Sequence, residues 1–561
     1  MSNFLIGAVI AAPLILLGFF LLSSALIGLL EGPIQKPPEQ LLFGARLFKT
    51  GLVALGFLAI VLAKLPVPNR PVSRPKGVTE PHGKIYPLIL LALLFIAFIL
   101  RLYHLGNGLW YDEIVTYVKY GRMPFAEILT TYDSENLHVL FALLANASVK
   151  IFGENDWSIR LPAVLFGVGS IWAIYLLGRY VGTAREGLLA SAMLTFSYHH
   201  IWFSQNARGY MMLLFWTILS SWFFLRALRE ARPGLWLAYA VSAALGAYTH
   251  MTMFFVVAGQ LILYAIHFLV RGGETWPEAR TGLFYGFGLA ALLTFQLYAL
   301  VIPQILSSFG EGTRSNVLAW KNPLWTLLEF SRGIQVGFRS GIFGIFVLAG
   351  LFVVGAGIWG FLRHDPAFLG LTFIPVITGA TLSFALRHPL WPRFYFFAFG
   401  FGVLVVVRGT TILGGFIASR LRLQPAQSVF IGTALWVLVI FASALSVPAA
   451  YAPKQDYYGA LLFVEQNRKP GDAVVTVGVT TFPYQKFYQT NWEEAETLKD
   501  LDAIRSRSQR TWLLYTLPLH LQYEYPDLMK RIEERYRVVK EFFGTLSGGT
   551  IYVCLSQHPH P

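Results

Sequence analysis

The sequence predicts an all-α polytopic membrane protein with about thirteen transmembrane helices, interfacial helices and a small C-terminal α/β soluble domain. Three observations carry this. Of 561 residues, 55% are hydrophobic and only 13% charged, and the mean hydropathy is +0.55. Long uncharged apolar runs, of the ~20 residues a spanning helix needs, recur along the first 450 residues. After Val447-Pro448 the composition turns charged, with ordinary helix and strand signals. Only a folded set of spanning helices satisfies so much backbone inside lipid.

Taken in order, the runs lie near 4–30, 42–64, 86–103, 161–181, 187–203, 209–229, 235–250, 252–270, 281–302, 341–362, 366–386, 394–414 and 428–448. The close pair around His250 could equally be one broken helix. The first run is too long for a typical signal peptide and lacks a basic start, so it reads as a retained helix. Two N-terminal helices (1–64) precede a membrane core (65–450), and 451–561 forms the C-terminal domain.

The net charge is +14, and all of it falls in the first 450 residues, where 31 basic face 17 acidic side chains. The remainder is balanced at 13 of each. The bases lie singly at helix ends, which fits membrane orientation and argues against nucleic acid. Arg70, Arg74, Lys76 and Lys84 place the 65–85 connection in the cytoplasm. Loop 104–160, with seven acidic and four basic residues, then lies outside, as does 451–561. The loop 303–340, with four bases against two acids, fits the rule least well. The single cysteine, Cys554, allows no intrachain disulfide.

Within 104–160 two amphipathic segments are expected at the interface: a helix over 113–130 anchored by Tyr117 and Tyr120, and an interfacial or re-entrant helix over 137–152. In the C-terminal domain, 456–468 and 526–537 read as helices. DAVVTVGV and RTWLLYTLP read as buried strands, and two further strands join at Ser547-Gly548-Gly549.

The orientation brings Asp112, Glu113, Asp133, Glu135, His138, Gln205, Arg208, His250, Arg387 and Arg393 to the outer face. Charged groups at that level must pair, hydrate or bind something anionic. The adjacent carboxylates Asp112 and Glu113, after Trp110 and Tyr111, suit a general base on an acceptor hydroxyl, a cation site, or solvated loop charges. Glu135 or His138 could contact a phosphate or a metal, or His138 could satisfy loop backbone. With His250 these two would make a partial metal set. Arg208 could grip a phosphate in bidentate fashion or snorkel to headgroups. Arg160, which opens a helix as Arg-Leu-Pro, reads as structural. His199 and His200 point in different directions on a helix and read, with Tyr198, as mainly structural.

The succession LRLYHLGNGLWYDE, DSENLHVLFALL, FGENDWSIRLPAVLFGVGSIWAIYLLGRYVG, SYHHIWFSQNARGYMML and AYTHMTMFF resembles the GT-C glycosyltransferases of the protein-mannosyltransferase and aminoarabinose-transferase type, over about residues 86–270. The order and spacing carry the resemblance, since no single motif is specific. It implies a polyprenyl-phosphate sugar donor and transfer, with inversion, outside the cytoplasmic membrane. It makes Asp112 the general base, with Glu113 beside it. Arg208, Arg393, His138 and Arg387 become donor-phosphate ligands, and Trp110, Tyr111, Tyr117, Glu135, Gln205 and Tyr210 substrate contacts. It requires no cofactor, and a divalent cation on Glu135, His138 and His250 stays open. The acceptor is a hydroxyl or amine on a glycan, lipid or protein. A lipid-linked sugar transporter or flippase, and a non-catalytic lipid-binding scaffold in envelope assembly, are the alternatives.

Overall fold

The computed structural model describes residues 2–30, 38–65, 85–134, 137–230, 232–271, 276–311, 317–335 and 343–556. Among them, nine helices are long and apolar enough to cross a membrane, or ten if one bent pair is counted as a single span. Against the thirteen runs of the sequence, three are shaped differently among the described residues. The run 4–30 is that bent pair, Gly7–Phe20 and Ser23–Leu30, meeting at 90°. The run 187–203 is two short helices, Ala184–Thr195 and Tyr198–Ser204, because the Ser197 hydroxyl accepts the His200 N–H and starts a new helix. Pro233–Thr249 is only 17 residues long. The run 341–362 is matched by a helix of 22 residues, Phe343–His364.

The bundle centres on Asp156–Val181, packed between Ala184–Thr195, Tyr210–Glu230 and Val139–Phe152. Small residues permit this packing. A Cβ at Gly178 would lie 2.9 Å from the Cα of Gly187. One at Gly357 would lie 2.0 Å from the carbonyl oxygen of Val405. Large apolar residues such as Leu88, Leu91 and Phe95 are exposed on the outside of Ile85–Leu102, as a lipid-facing surface requires. The N-terminal helix packs along Pro38–Lys64, which in turn meets Leu289–Tyr298.

The single helix expected over 113–130 is three pieces: Tyr111–Thr116, a π-helical turn Tyr117–Gly121, and Phe125–Thr130. Pro124 precludes a continuous helix there, and Asn146 holds the break by donating to the carbonyls of Tyr120, Gly121 and Met123. Asn146 lies on the next helix, Val139–Phe152.

The C-terminal region carries one five-stranded sheet: β1 (Asp472–Thr476), β2 (Glu493–Glu494), β3 (Arg510–Tyr515), β4 (Tyr536–Phe542) and β5 (Ile551–Ser556), in the order β2-β1-β3-β5-β4. β1 runs parallel to β2 and β3, while β5 is antiparallel to β3 and β4. Helices Tyr457–Asn467 and Pro526–Arg535 fall where the sequence indicates them, and Leu498–Ser506 and Pro518–Glu524 are additional. The sheet does not hang from the bundle on a tether. Tyr457, Trp512 and Leu514 share one buried cluster with Leu109, Ile114, Phe141 and Ile159.

Candidate active site

The site grows from the short helix Tyr111–Thr116. Glu113, at its third position, reaches back to the backbone N–H of Trp110 and closes the helix N-terminus. Its carboxylate is fully buried and makes a two-point contact with Arg160, Nε to Oε1 at 2.7 Å and Nη2 to Oε2 at 2.5 Å. The Ala207 N–H adds a third donor at 2.7 Å. The other N–H groups of Arg160 go to the carbonyls of Leu105, Asn107 and Gly108, so all five donors are used. Burial pushes the Glu113 carboxyl up, but Arg160, Lys454 and the Ala207 N–H outweigh it and hold the carboxyl below its usual range. A carboxylate with its oxygens so engaged cannot also take a proton from a substrate. Glu113, expected at the chemistry, is instead the brace that fixes its helix on the bundle.

Asp112 lies one residue back, about 100° around the same helix. It is buried, and its Oδ2 has no hydrogen-bond partner among the described residues. Arg393 pairs with it, Nη1 to Oδ2 at 3.9 Å. The Arg393 guanidinium lies 4.7 Å above the ring of Trp391, which packs against Trp320 and Trp325. One turn along the same helix, the Thr116 hydroxyl donates to the backbone carbonyl of Asp112 at 2.8 Å and accepts from Arg208 at 3.4 Å. Arg208 also reaches His138, 3.3 Å from its Nε2. Arg393 thus meets the Asp112 carboxylate, while Arg208, 185 positions earlier in the chain, meets the same short helix at Thr116.

His138 and His250 form the floor, their ring centroids 4.4 Å apart, with Tyr210 against both. The His138 Nδ1 accepts the Gly209 N–H at 2.8 Å, and the His250 Nδ1 faces the Thr252 hydroxyl at 2.9 Å. Burial, followed by the charges of Arg208 and Arg393, holds His250 down at about 3 and His138 well below its ordinary value. Both are neutral at physiological pH. The third expected metal ligand, Glu135, lies outside the described residues. Among the described residues, no group of three or more His, Cys, Asp or Glu side chains could hold an ion. The His138 nitrogen not used by Gly209 faces the Arg208 guanidinium, which disfavours a cation there.

The remaining expected contacts divide. Trp110 is buried, donating to the Asn206 side chain at 3.1 Å, and Tyr111 lies beside Asp112. Tyr117 points away, bonding Glu154 and packing edge-on to Phe487 of the C-terminal region. The Gln205 amide donates to the carbonyls of Arg101 and Tyr103, which makes it a backbone brace rather than a substrate contact. Arg387 is exposed on a left-handed turn (φ 54°), and no described contact joins it to Asp112 or the two arginines. His200 is fully buried between Arg101 and Ser170. Sequence reasoning missed Lys454 and Gln455, which meet the Gln205 carbonyl at 2.7 Å and the Tyr111 N–H at 3.1 Å. The only trace of them is a polar Lys-Gln-Asp step just after the last apolar run.

Residues 139–302 match the family described as dolichyl-phosphate-mannose-protein mannosyltransferase. The match covers about a third of the chain, the part between the first outer loop and the late outer loop. The matched segment includes Gln205, Arg208, Tyr210 and His250 and stops short of Asp112 and Arg393. The putative mannosyltransferase YkcB of Bacillus subtilis (strain 168) is 23% identical over 175 residues. That alignment covers 30% of this chain and spans about a quarter (24%) of the relative. Among solved structures, ArnT from Cupriavidus metallidurans bound to undecaprenyl phosphate is similar at 14% identity, over 84% of this chain and 98% of that one, with a TM-score of 0.45. The Archaeoglobus fulgidus oligosaccharyltransferase AglB, in complex with an inhibitory peptide and a dolichol-phosphate, is similar at 12% identity, over 84% and 74%, with a TM-score of 0.49. At Asp112 and Arg393, two buried or half-buried groups of opposite charge meet with hydrogen-bonding atoms left unused.

Proposed function

We propose that the protein transfers a monosaccharide from a polyprenyl-phosphate donor to an acceptor hydroxyl or amine, at the outer face of the cytoplasmic membrane, with Asp112 as general base. The observation that carries this reading is the Asp112 carboxylate, buried with one oxygen unpartnered and the Arg393 guanidinium 3.9 Å away, on the helix whose Thr116 hydroxyl meets Arg208. A buried, incompletely bonded carboxylate is costly to maintain unless something comes to bind it. In the reaction, the acceptor O–H or N–H gives its proton to Asp112 while its oxygen or nitrogen bonds to the anomeric carbon. The bond from that carbon to the phosphate oxygen breaks, and the polyprenyl phosphate leaves with the electron pair. Arg208 and Arg393 meet the charge that builds on it, and donors placed this way contribute ~3 kcal/mol each. Neutral His138 keeps its hydrogen-bonding capacity beside Arg208 without adding charge.

One displacement with one base inverts the anomeric centre. Two arginines supply the counter-charge, so the reading requires no resident cation, and turnover should survive a chelator. The outer-face assignment rests on the basic loop 65–85 and on the acidic excess of loop 104–160.

The test is incubation of the purified protein with a polyprenyl-phosphate sugar and a set of acceptors, followed by mass spectrometry and NMR of the product. Released polyprenyl phosphate and a product of inverted configuration are expected. Retained configuration, or donor moved across a vesicle membrane without cleavage, would remove the assignment.

A further inference from the structure

After the 3₁₀ turn Val447–Tyr451, residues 452–456 form a strap into helix Tyr457–Asn467. The strap is hydrogen-bonded on both sides. Towards the C-terminal region, the Thr545 N–H donates to the Pro453 carbonyl at 2.9 Å and the Leu546 N–H to the Lys454 carbonyl at 3.2 Å. The approach is close enough that a Cβ on Gly544 would lie 2.1 Å from the Lys454 oxygen. Towards the bundle, the Lys454 ammonium donates to the Gln205 carbonyl at 2.7 Å.

Gln455, only 2% exposed, works in both directions at once. Its Oε1 accepts the Tyr111 N–H at 3.1 Å, and its Nε2 donates to the Thr516 hydroxyl at 3.2 Å. Thr516 follows β3 and donates in turn to the Thr550 carbonyl beside β5 at 3.0 Å.

Tyr111 opens the helix that carries Asp112, and its N–H belongs to the first turn, where no intrahelical acceptor exists. Gln455 supplies that acceptor from the C-terminal region. The Oδ2 of Asp112 has no hydrogen bond of its own to aim it, so its direction is inherited from the helix. Glu113 and Arg160 fix that helix from the bundle side, and Gln455 fixes its first turn from the other. We propose that Gln455 is a positioning residue for the Asp112 carboxylate, and that through the Thr516–Gln455–Tyr111 chain the C-terminal sheet is part of the catalytic apparatus. This rests on the role proposed above for Asp112. The step it governs is proton acceptance, not the donor-phosphate contacts at Arg208 and Arg393, which Gln455 does not touch.

The experiment compares Gln455→Ala, Thr516→Val and Asp112→Asn in the full-length protein, with donor concentration varied and folding followed by thermal unfolding in detergent. Gln455→Ala should lower kcat about ten- to a hundredfold, the scale of an ångström-size misplacement. Its donor KM should stay within about twofold. Thr516→Val removes only the far link and should lower kcat about threefold. Three results would overturn the inference: wild-type kcat per folded molecule in Gln455→Ala, a raised donor KM with unchanged kcat, or loss of folded protein alone. Asp112→Asn separates the two levels. If it stays active, the general-base reading itself fails. If it is inactive while Gln455→Ala runs at the wild-type rate, only the positioning role falls.

Discussion

The two faces of helix Tyr111–Thr116 hold neighbouring carboxylates in opposite states. On one, Glu113 is enclosed by Arg160 and backbone N–H groups, and its charge is matched. On the other, Asp112 keeps an oxygen unpartnered, with its cation 3.9 Å away. One residue of helix rotates the side chain by about 100° and separates a fully paired carboxylate from an incompletely paired one. The difference shows how a buried polar cluster can hold a strained group: the complete network on one face fixes the incomplete one on the other.

The comparison can be broken by substitution, and the largest effect is expected at Asp112. Asp112→Asn should cut turnover ~10²–10⁴-fold, the usual contribution of a positioned base, with unchanged thermal unfolding. Arg208→Ala and Arg393→Ala should each cost ~10²–10³-fold in kcat, as lost transition-state donors do, measured as polyprenyl phosphate released. Glu113→Leu leaves Arg160 charged and buried without its partner. It should therefore destabilise the protein by ~3–5 kcal/mol, read as a fall in unfolding temperature, with kcat per folded molecule far less affected than in Asp112→Asn.

Protonation sharpens the contrast. Burial lowers Lys454 to about 7, despite the attraction of Glu113. The unfolded chain then holds this proton more tightly than the folded one between about pH 7 and the ordinary lysine value near 10.5, so stability rises with pH across that window. Lys454→Met should remove that rise, seen as the difference between the two unfolding temperatures at pH 7 and pH 9. His250, held at about 3 by burial and by Arg208 and Arg393, works in a lower window. The folded state stays neutral while the unfolded chain protonates below about 6.5, so stability is lost as pH falls from 6.5 towards 3. The smallest effect is expected at Arg387. Exposed and away from the pocket, Arg387→Ala should change kcat less than about twofold.

Much of the site's assembly was readable from the chain. Apolar runs and singly placed basic residues point to the ends of distant helices converging, and in the structure Arg393 lies by Asp112 and Arg208 by Thr116 on the same short helix. What could not be read depends on contacts that leave no local pattern. Nothing in Trp-Tyr-Asp-Glu distinguishes the two carboxylates, because the partner that engages Glu113 is 47 residues away. Gln205 looks like a substrate amide until its acceptors, the carbonyls of Arg101 and Tyr103, are in view. Gln455 meets Tyr111 across 344 positions, and only the folded chain shows that the C-terminal sheet shares a core with the loop. The break at Ser197 was hidden for a different reason: hydropathy averages across a capping hydroxyl that redirects the backbone.

The most direct test of the central claim is a single-turnover measurement on Asp112→Asn saturated with a polyprenyl-phosphate sugar, with donor affinity and polyprenyl phosphate release read from one sample. Donor held with wild-type affinity and release abolished is the expected result. Release at the wild-type rate would contradict it.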